Sequence, residues 1–259
     1  MRAPEPAFFE LRNVRCAFGG LVAVDDLSFA LEQNSIVALI GPNGAGKSTV
    51  FNLITGIYRA TSGTVSFGGR SLAKLGTHQI AALGIARTFQ NIRLFAFMSA
   101  LDNVMTGRHA RMQASLADSL LHTPRQRREE RRVRERAREL LRFVGLERSA
   151  GDDAHNLSYG SQRRLEIARA LASSPTLLLL DEPAAGMNPR EKDDLIALVE
   201  RIRASGVTIV LVEHDMKLVM GLCERVTVLD QGRKIAEGTP AHVRADPRVI
   251  EAYLGASDP

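Results

Sequence analysis

Nine residues carry the strongest chemical signal: Gly41-Pro42-Asn43-Gly44-Ala45-Gly46-Lys47-Ser48-Thr49. Their spacing satisfies G-x-x-x-x-G-K-[ST], a turn whose glycines let the backbone wrap closely around anionic oxygens. Consecutive N–H groups and the positive end of a following helix then point at phosphate. In such a cradle Lys47 reaches the β- and γ-phosphates, and the Ser48 hydroxyl ligates Mg²⁺. The flanks suit the task. Ser35 to Ile40 reads as a short buried strand, and Ser48 to Ile54 as a helix stopped at Gly56.

Two acids and a histidine stand where they can join this chemistry. Asp181 and Glu182 end the apolar run from Thr176 to Leu180, so both emerge at the C-terminal edge of a strand, where open α/β sheets bind ligands. Asp181 is expected to hold Mg²⁺ through water, and Glu182 to polarise the attacking water as general base. His214 follows Val207 to Glu213 at the end of another apolar run, where its N–H can steady a γ-phosphate. His78, His109, His122, His155 and His242 have no such setting. Leu157-Ser158-Tyr159-Gly160-Ser161-Gln162 opens a periodic helix; Ser158 reads first as its N-cap, and with Gly160 as a second anion site aided by the helix dipole.

The elements that must position these residues run in a definite order. Strands are expected at Phe8–Val14, Leu27–Leu31, Gly63–Phe67 and Ile85–Phe89, with a short helix opening near Thr77. Residues 91–156 read as mostly helical, beginning with the Ser99-x-x-Asp102 capping pattern. Strands return at Leu177–Leu180 and Val207–Val212, separated by a helix after Pro189; they lack alternation, as expected of parallel strands covered on both faces. A hairpin is expected at Arg225–Asp230 and Lys234–Glu237 around Gln231-Gly232, and a last helix near Val249–Leu254.

Composition sets the remaining bounds. With 259 residues, 45% of them hydrophobic, the chain can bury a sizeable core. No apolar run is long enough to cross a bilayer and no N-terminal stretch reads as a signal peptide, so a soluble, cytoplasmic protein is expected. Cys16 and Cys223 lie far apart without metal-type spacing, which suits a reducing compartment. The net charge of +5 is concentrated between Arg125 and Glu139, with eight arginines and four glutamates. Glu130–Arg134 and Arg131–Glu135 sit at i,i+4 and no aromatic residues interleave for base stacking, so a solvated helix is favoured over a nucleic-acid patch.

Together these pieces resemble the ATP-binding subunits of ABC transporters. Gly41 to Thr49 is similar to the Walker A motif, Leu157 to Gln162 to the signature motif, and Leu177 to Glu182 to the Walker B strand with its catalytic glutamate. Gln90 matches the Q-loop residue, a metal ligand and sensor; His214 matches the switch histidine; Phe18 stands where an aromatic residue stacks on adenine. Two departures stand out: Tyr159 and Ser161 break the usual L-S-G-G-Q wording, and Asn188 replaces the common D-loop aspartate. The wording of Gly84–Phe95, Asp181–Pro189, Val212–Lys217 and Val249–Gly255 resembles the subfamily serving branched-chain amino-acid importers; importers of urea, short amides and aromatic acids share much of it.

The resemblance implies an α/β P-loop NTPase fold with a mixed sheet core, an N-terminal antiparallel β region and an inserted α-helical subdomain. The expected division is a core of residues 1–90 and 157–240, a helical subdomain of 91–156 and a C-terminal helix in 241–259. It also implies ATP and Mg²⁺ as ligands, with catalysis by Glu182, His214, Gln90 and Lys47. Two such subunits, identical or paralogous, would sandwich ATP so that Ser158 and Gly160 of one close the cradle of the other. Two transmembrane permease subunits and, indirectly, a periplasmic solute-binding protein complete the assembly, with this chain on the cytoplasmic face of the bacterial inner membrane. A soluble ABC ATPase acting on ribosomes or DNA is the rival reading.

Overall fold

The computed structural model describes residues 7–108 and 124–254. His109, His122 and Gly255 lie outside the described residues, as do the ends of the expected subdomains that fall there. Two sheets organise the rest. The first is antiparallel, in the order β2-β1-β4-β5, from β1 (Phe9–Phe18), β2 (Leu21–Leu31), β4 (Ser62–Phe67) and β5 (Arg70–Ser71). The second has the order β10-β9-β3-β8-β7-β6, from β3 (Ile36–Ile40), β6 (Ile85–Arg87), β7 (Leu177–Asp181), β8 (Thr208–Val212), β9 (Arg225–Asp230) and β10 (Arg233–Gly238). Its pairings are parallel except for the β9–β10 hairpin at one edge.

The unbroken apolar runs are strands buried on both faces. Every residue of β3, β7 and β8 is buried, and successive side chains enter different cores. Ile36, Ala38, Leu178, Leu180, Ile209 and Leu211 join a cluster with the helices, whereas Val37, Leu39, Leu177, Leu179, Val210 and Val212 face the antiparallel sheet and α1 (Lys47–Ile54). The period of two in a strand produces this partition.

The other described helices are α2 (Thr77–Ala82), α3 (Ala100–Thr106), α4 (Pro124–Phe143), α5 (Tyr159–Ala172), α6 (Pro189–Ala204), α7 (Met216–Leu222), α8 (Pro240–Ala245) and α9 (Pro247–Leu254), with short 3₁₀ turns at Glu147–Ser149 and Ala154–Asn156. The arginine-rich tract is helical, docked through Val133, Ala137, Leu140 and Leu141. Along the described part of the tract, Arg136 and Glu139 pair at 2.9 Å, at i,i+3 rather than at the i,i+4 spacing of Glu130–Arg134 and Arg131–Glu135.

Four boundaries differ from the sequence expectation, the first being β1, which runs past Val14 to Phe18 in register with Leu21 of β2. β2 begins six residues earlier than Leu27, because Asp26 adopts a left-handed conformation (φ 51°) and accepts from Asn13 Nδ2 at 2.8 Å. The Asp25-Asp26 pair is an irregularity inside one long strand. β6 stops at Arg87 rather than Phe89, since the Phe89 N–H leaves the sheet for the Glu166 carboxylate. The C-terminal region holds two helices rather than one, α8 being capped by Thr239, which accepts from the His242 N–H at 3.4 Å.

Candidate functional site

The loop between β3 and α1 forms one wall of a cleft of about 710 Å³ lined by Leu21, Val22, Ala23, Asn43 to Thr49, Gln90, Glu182 and Gln231. Glycine is required where the loop is crowded. A Cβ on Gly41 (φ +150°) would lie 2.1 Å from the Leu229 carbonyl oxygen, and one on Gly46 (φ +99°) 2.5 Å from that of Ala23. The Gly232 N–H donates to the Ala45 carbonyl at 3.1 Å, tying the loop to the β9–β10 turn. Gly46 caps α1 without a side-chain acceptor and the first turn holds no acid, which leaves the helix N-terminus open to an anion.

Lys47 Nζ donates to the carbonyls of Gly41 and Pro42 at 2.7 and 2.8 Å. Burial lowers its pKa, opposed by the charges of Glu182 and Asp181. Phosphate oxygens entering the loop would offer this ammonium better acceptors than the two carbonyls it now holds.

On the facing strand edge, Glu182 has φ 47°, an uncommon conformation for a non-glycine residue and one that collects at functional sites. Its Oε2 accepts from Gln90 Nε2 at 3.0 Å and stands 4.0 Å from His214 Nδ1. The Gln90 amide therefore turns its nitrogen to the carboxylate and keeps its oxygen, a hard donor, for another partner. His214 is exposed, and its backbone N–H donates to Glu213 at 3.1 Å. Asp181 is buried and ion-paired with Arg87 at 2.7 Å; Arg87 also donates to Asn52 at 2.6 Å. The Asp181 carboxylate thus already carries a cation, so any hold on Mg²⁺ runs through its remaining oxygen.

The donor set tests the fit of a metal. No cluster of three or more His, Cys, Asp or Glu side chains suited to a metal occurs among the described residues. The Ser48 hydroxyl, the Gln90 amide oxygen and the outer Asp181 oxygen are hard oxygen donors, too few to hold Mg²⁺ without phosphate oxygens. That is the pattern of a metal bound together with a nucleotide, and the residues fit it.

Phe18, Ser158 and Gly160 lie apart from the cleft lining, which also leaves out Gly41, Pro42, Asp181 and His214. Phe18 is half exposed and stacked edge-on against Tyr58, ring centroids 4.9 Å apart. Ser158 caps α5, accepting from the Ser161 N–H at 3.3 Å. Gly160 packs under Glu191, whose Oε1 would be 2.6 Å from an added Cβ. Asn188 caps α6, accepting from the Glu191 N–H at 3.0 Å while Glu191 accepts in return, a role that an aspartate would fill equally well. Sequence reasoning passed over Arg87, Arg163, Glu166 and Glu213. The available signal was a charge inside or against an apolar run, which a buried strand or helix tolerates only when it is paired.

A Gly-rich loop at a helix N-terminus, a strand-end glutamate bonded to the glutamine beyond β6 and a histidine beside it define an ATP-binding cassette. The chain belongs to the ABC transporter family, whose model matches residues 24–185; that of the branched-chain amino acid ATP-binding cassette transporters matches residues 233–259. It is 46% identical to the high-affinity branched-chain amino acid transport ATP-binding protein BraF of Pseudomonas aeruginosa, over 95% of this chain and 97% of the relative. It is 47% identical to LivG of Escherichia coli strain K12, a protein of the same description, over 92% and 94%. Among solved structures it superposes on the ADP conformation of an ATP-binding cassette of an ABC transporter with TM-score 0.85 and 32% identity, covering 96% of this chain and 99% of that one.

Proposed function

We propose that this chain is the ATP-hydrolysing subunit of an importer for branched-chain amino acids, working on the cytoplasmic face of the inner membrane as one half of a pair. The observation that carries the reading is the Gln90–Glu182 hydrogen bond in the same cleft as Lys47 and Ser48. Glu182 takes the proton of the attacking water, and Gln90 orients that carboxylate. His214 lies beside both on an exposed loop end and steadies the γ-phosphate. Lys47, Ser48, Thr49 and the loop from Gly41 to Gly46 hold the phosphates. Phe18 offers a face to the adenine. Ser48, Gln90 and Asp181 would hold Mg²⁺, which when bound neutralises charge on the transferred phosphoryl group.

In this reading Ser158 and Gly160, at the start of α5 and away from the cleft lining, are supplied by one chain to the nucleotide of another. That places two ATP molecules between two subunits, this chain with itself or with a paralogue. No helix among the described residues is long and apolar enough to cross a membrane, so the solute path belongs to two separate permease subunits fed by a solute-binding protein. Those subunits dock in the groove of about 610 Å³ between α2–β6 and α3–α5, where Ile57 and Phe95 are about half exposed and Arg87 and Phe89 share the lining. The division into a core (1–90 and 157–240), a helical subdomain (91–156) and a C-terminal part (241–259) belongs to the same reading, the groove falling at the join of the first two.

The test is Glu182→Gln. It should abolish phosphate release and yield an ATP-stabilised dimer on size exclusion. Rapid hydrolysis by the variant would remove Glu182 as base. Reconstitution with permease and receptor, followed by a solute screen, tests the substrate: stimulation by leucine, isoleucine or valine supports it, and stimulation by urea or amides alone overturns it.

A further inference from the structure

Gln90 sits on an irregular segment beyond the end of β6, with no strand or helix of its own to hold it. A buried ion pair on the facing helix holds it instead. Arg163 and Glu166, one turn apart on α5, are 3% and 2% exposed. Arg163 Nη1 donates to the Phe89 carbonyl at 2.7 Å and to Glu166 Oε2 at 3.3 Å, and its Nη2 donates to the Gln90 carbonyl. Glu166 Oε1 accepts from the Phe89 N–H at 3.3 Å. Three main-chain groups of two consecutive residues are thus gripped by one pair of side chains.

The same guanidinium reaches the other way. Its Nη2 donates to the Tyr159 hydroxyl at 3.0 Å, and its carbon lies 5.4 Å from the centre of that ring. Tyr159 follows Ser158 directly and is half exposed. Its ring also touches the loop after Glu182, because a Cβ on Gly186 would lie 3.1 Å from Tyr159 Cε1.

We propose that Arg163 and Glu166 are positioning residues for hydrolysis: they fix the Gln90 main chain to α5, so that the Ser158–Tyr159 turn and the Gln90–Glu182 bond move as one unit. The proposal deepens, and rests on, the reading of Glu182 as general base. The physical argument is one of direction rather than stability. Replacing a buried ion pair by apolar residues of similar size is often neutral or stabilising, so packing alone does not call for this pair. The planar fork of an arginine supplies what apolar residues cannot, two carbonyls held at fixed angles. A displacement of about 1 Å in a group that orients the reacting atoms can cost about 10²-fold in rate. Contact of Ser158 and Tyr159 with a second subunit then reaches the Gln90–Glu182 bond of the same chain through Arg163.

The experiment measures steady-state ATPase activity, equilibrium ATP binding and thermal melting on Arg163→Met, Arg163→Lys and Glu166→Gln in the full chain. Arg163→Met should lower kcat about 10²-fold while leaving the Kd for ATP within about twofold, and Arg163→Lys, which keeps the charge but loses the fork, should recover only part. A kcat within about threefold of wild type, or kcat and affinity falling together, overturns the proposal. Should Arg163→Met melt below the assay temperature, Glu166→Gln carries the test, with about a tenfold fall in kcat at unchanged Kd expected and an unchanged kcat refuting. Glu182→Gln run in parallel separates the two readings. If it still hydrolyses ATP, the base assignment has failed; if it is inert while Arg163→Met keeps full activity, only the positioning role has failed.

Discussion

Replacing Arg87 with methionine should unmask the Asp181 carboxylate. In the wild-type chain the two side chains are 8% and 5% exposed and 2.7 Å apart, with Arg87 also bonded to Asn52. Methionine keeps most of the stem volume, so the loss is chiefly electrostatic. Removing one partner of a buried pair costs about 3–5 kcal/mol, because the remaining charge stays desolvated and uncompensated. For a chain this large each kcal/mol moves Tm by about 2–4 °C, giving a fall of about 6–20 °C. Adding Asp181→Asn to Arg87→Met should return most of that loss, the coupling being read from a double-mutant cycle. Mg²⁺ supplies a second readout. A carboxylate freed from arginine attracts a divalent cation more strongly, so with ADP present to supply phosphate oxygens, millimolar Mg²⁺ should raise the Tm of Arg87→Met more than that of wild type. The reasoning fails if the single variant loses less than about 1 kcal/mol, or if Mg²⁺ stabilises both proteins equally.

Gly41→Ala should weaken ATP binding at least about tenfold in a fluorescent-nucleotide titration, because its Cβ meets the Leu229 carbonyl in a left-handed backbone. Gly20→Ala, with nothing within 4 Å and no left-handed φ, is the control and should leave affinity unchanged. Both thiols should resist an aromatic disulfide reagent at pH 8 until denaturant is added: burial raises the Cys16 pKa and, with Glu213 and Glu224 nearby, pushes that of Cys223 up to about 12. Rapid labelling of the folded chain would contradict this. Glu213 is buried, and burial raises its carboxyl pKa above the ordinary value despite N–H donors from Ala184, His214 and Asp215. The folded state therefore binds more protons between those two values, so wild-type stability should fall relative to Glu213→Gln as pH rises through that window and level off above it. A gap between the two that does not vary with pH would contradict the assignment.

The phosphate loop was legible because its residue types are dictated locally. A strand must end, the backbone must turn tightly and a lysine must follow, and Gly41, Gly46 and Lys47 meet those needs within seven residues. The strand-end acids were legible for a similar reason: Leu177 to Leu180 cannot face water, so Asp181 and Glu182 mark where the sheet ends. The β9–β10 hairpin followed from Gln231-Gly232, both with positive φ. The length of β2 was hidden because Asp25-Asp26 mimics a turn unless Asn13 on the neighbouring strand is there to satisfy it.

The amino-acid order alone therefore pointed to the chemistry, a phosphate loop and a strand-end base, and determined the strands buried on both faces, each written in a short stretch of chain. Tertiary structure decided which charges meet. Arg87 reaches Asp181 across 94 positions, and Arg163 reaches Phe89 and Gln90 across 74 and 73. No local pattern encodes such partners, since a buried charge is tolerable only beside a counter-charge or acceptor that folding brings to it. Ser158, Gly160 and Phe18 show the complementary case, residues picked by motif yet seated outside the cleft lining. Motif spacing records what a residue can bind, and the packing of α5 and the antiparallel sheet sets where it stands when it does.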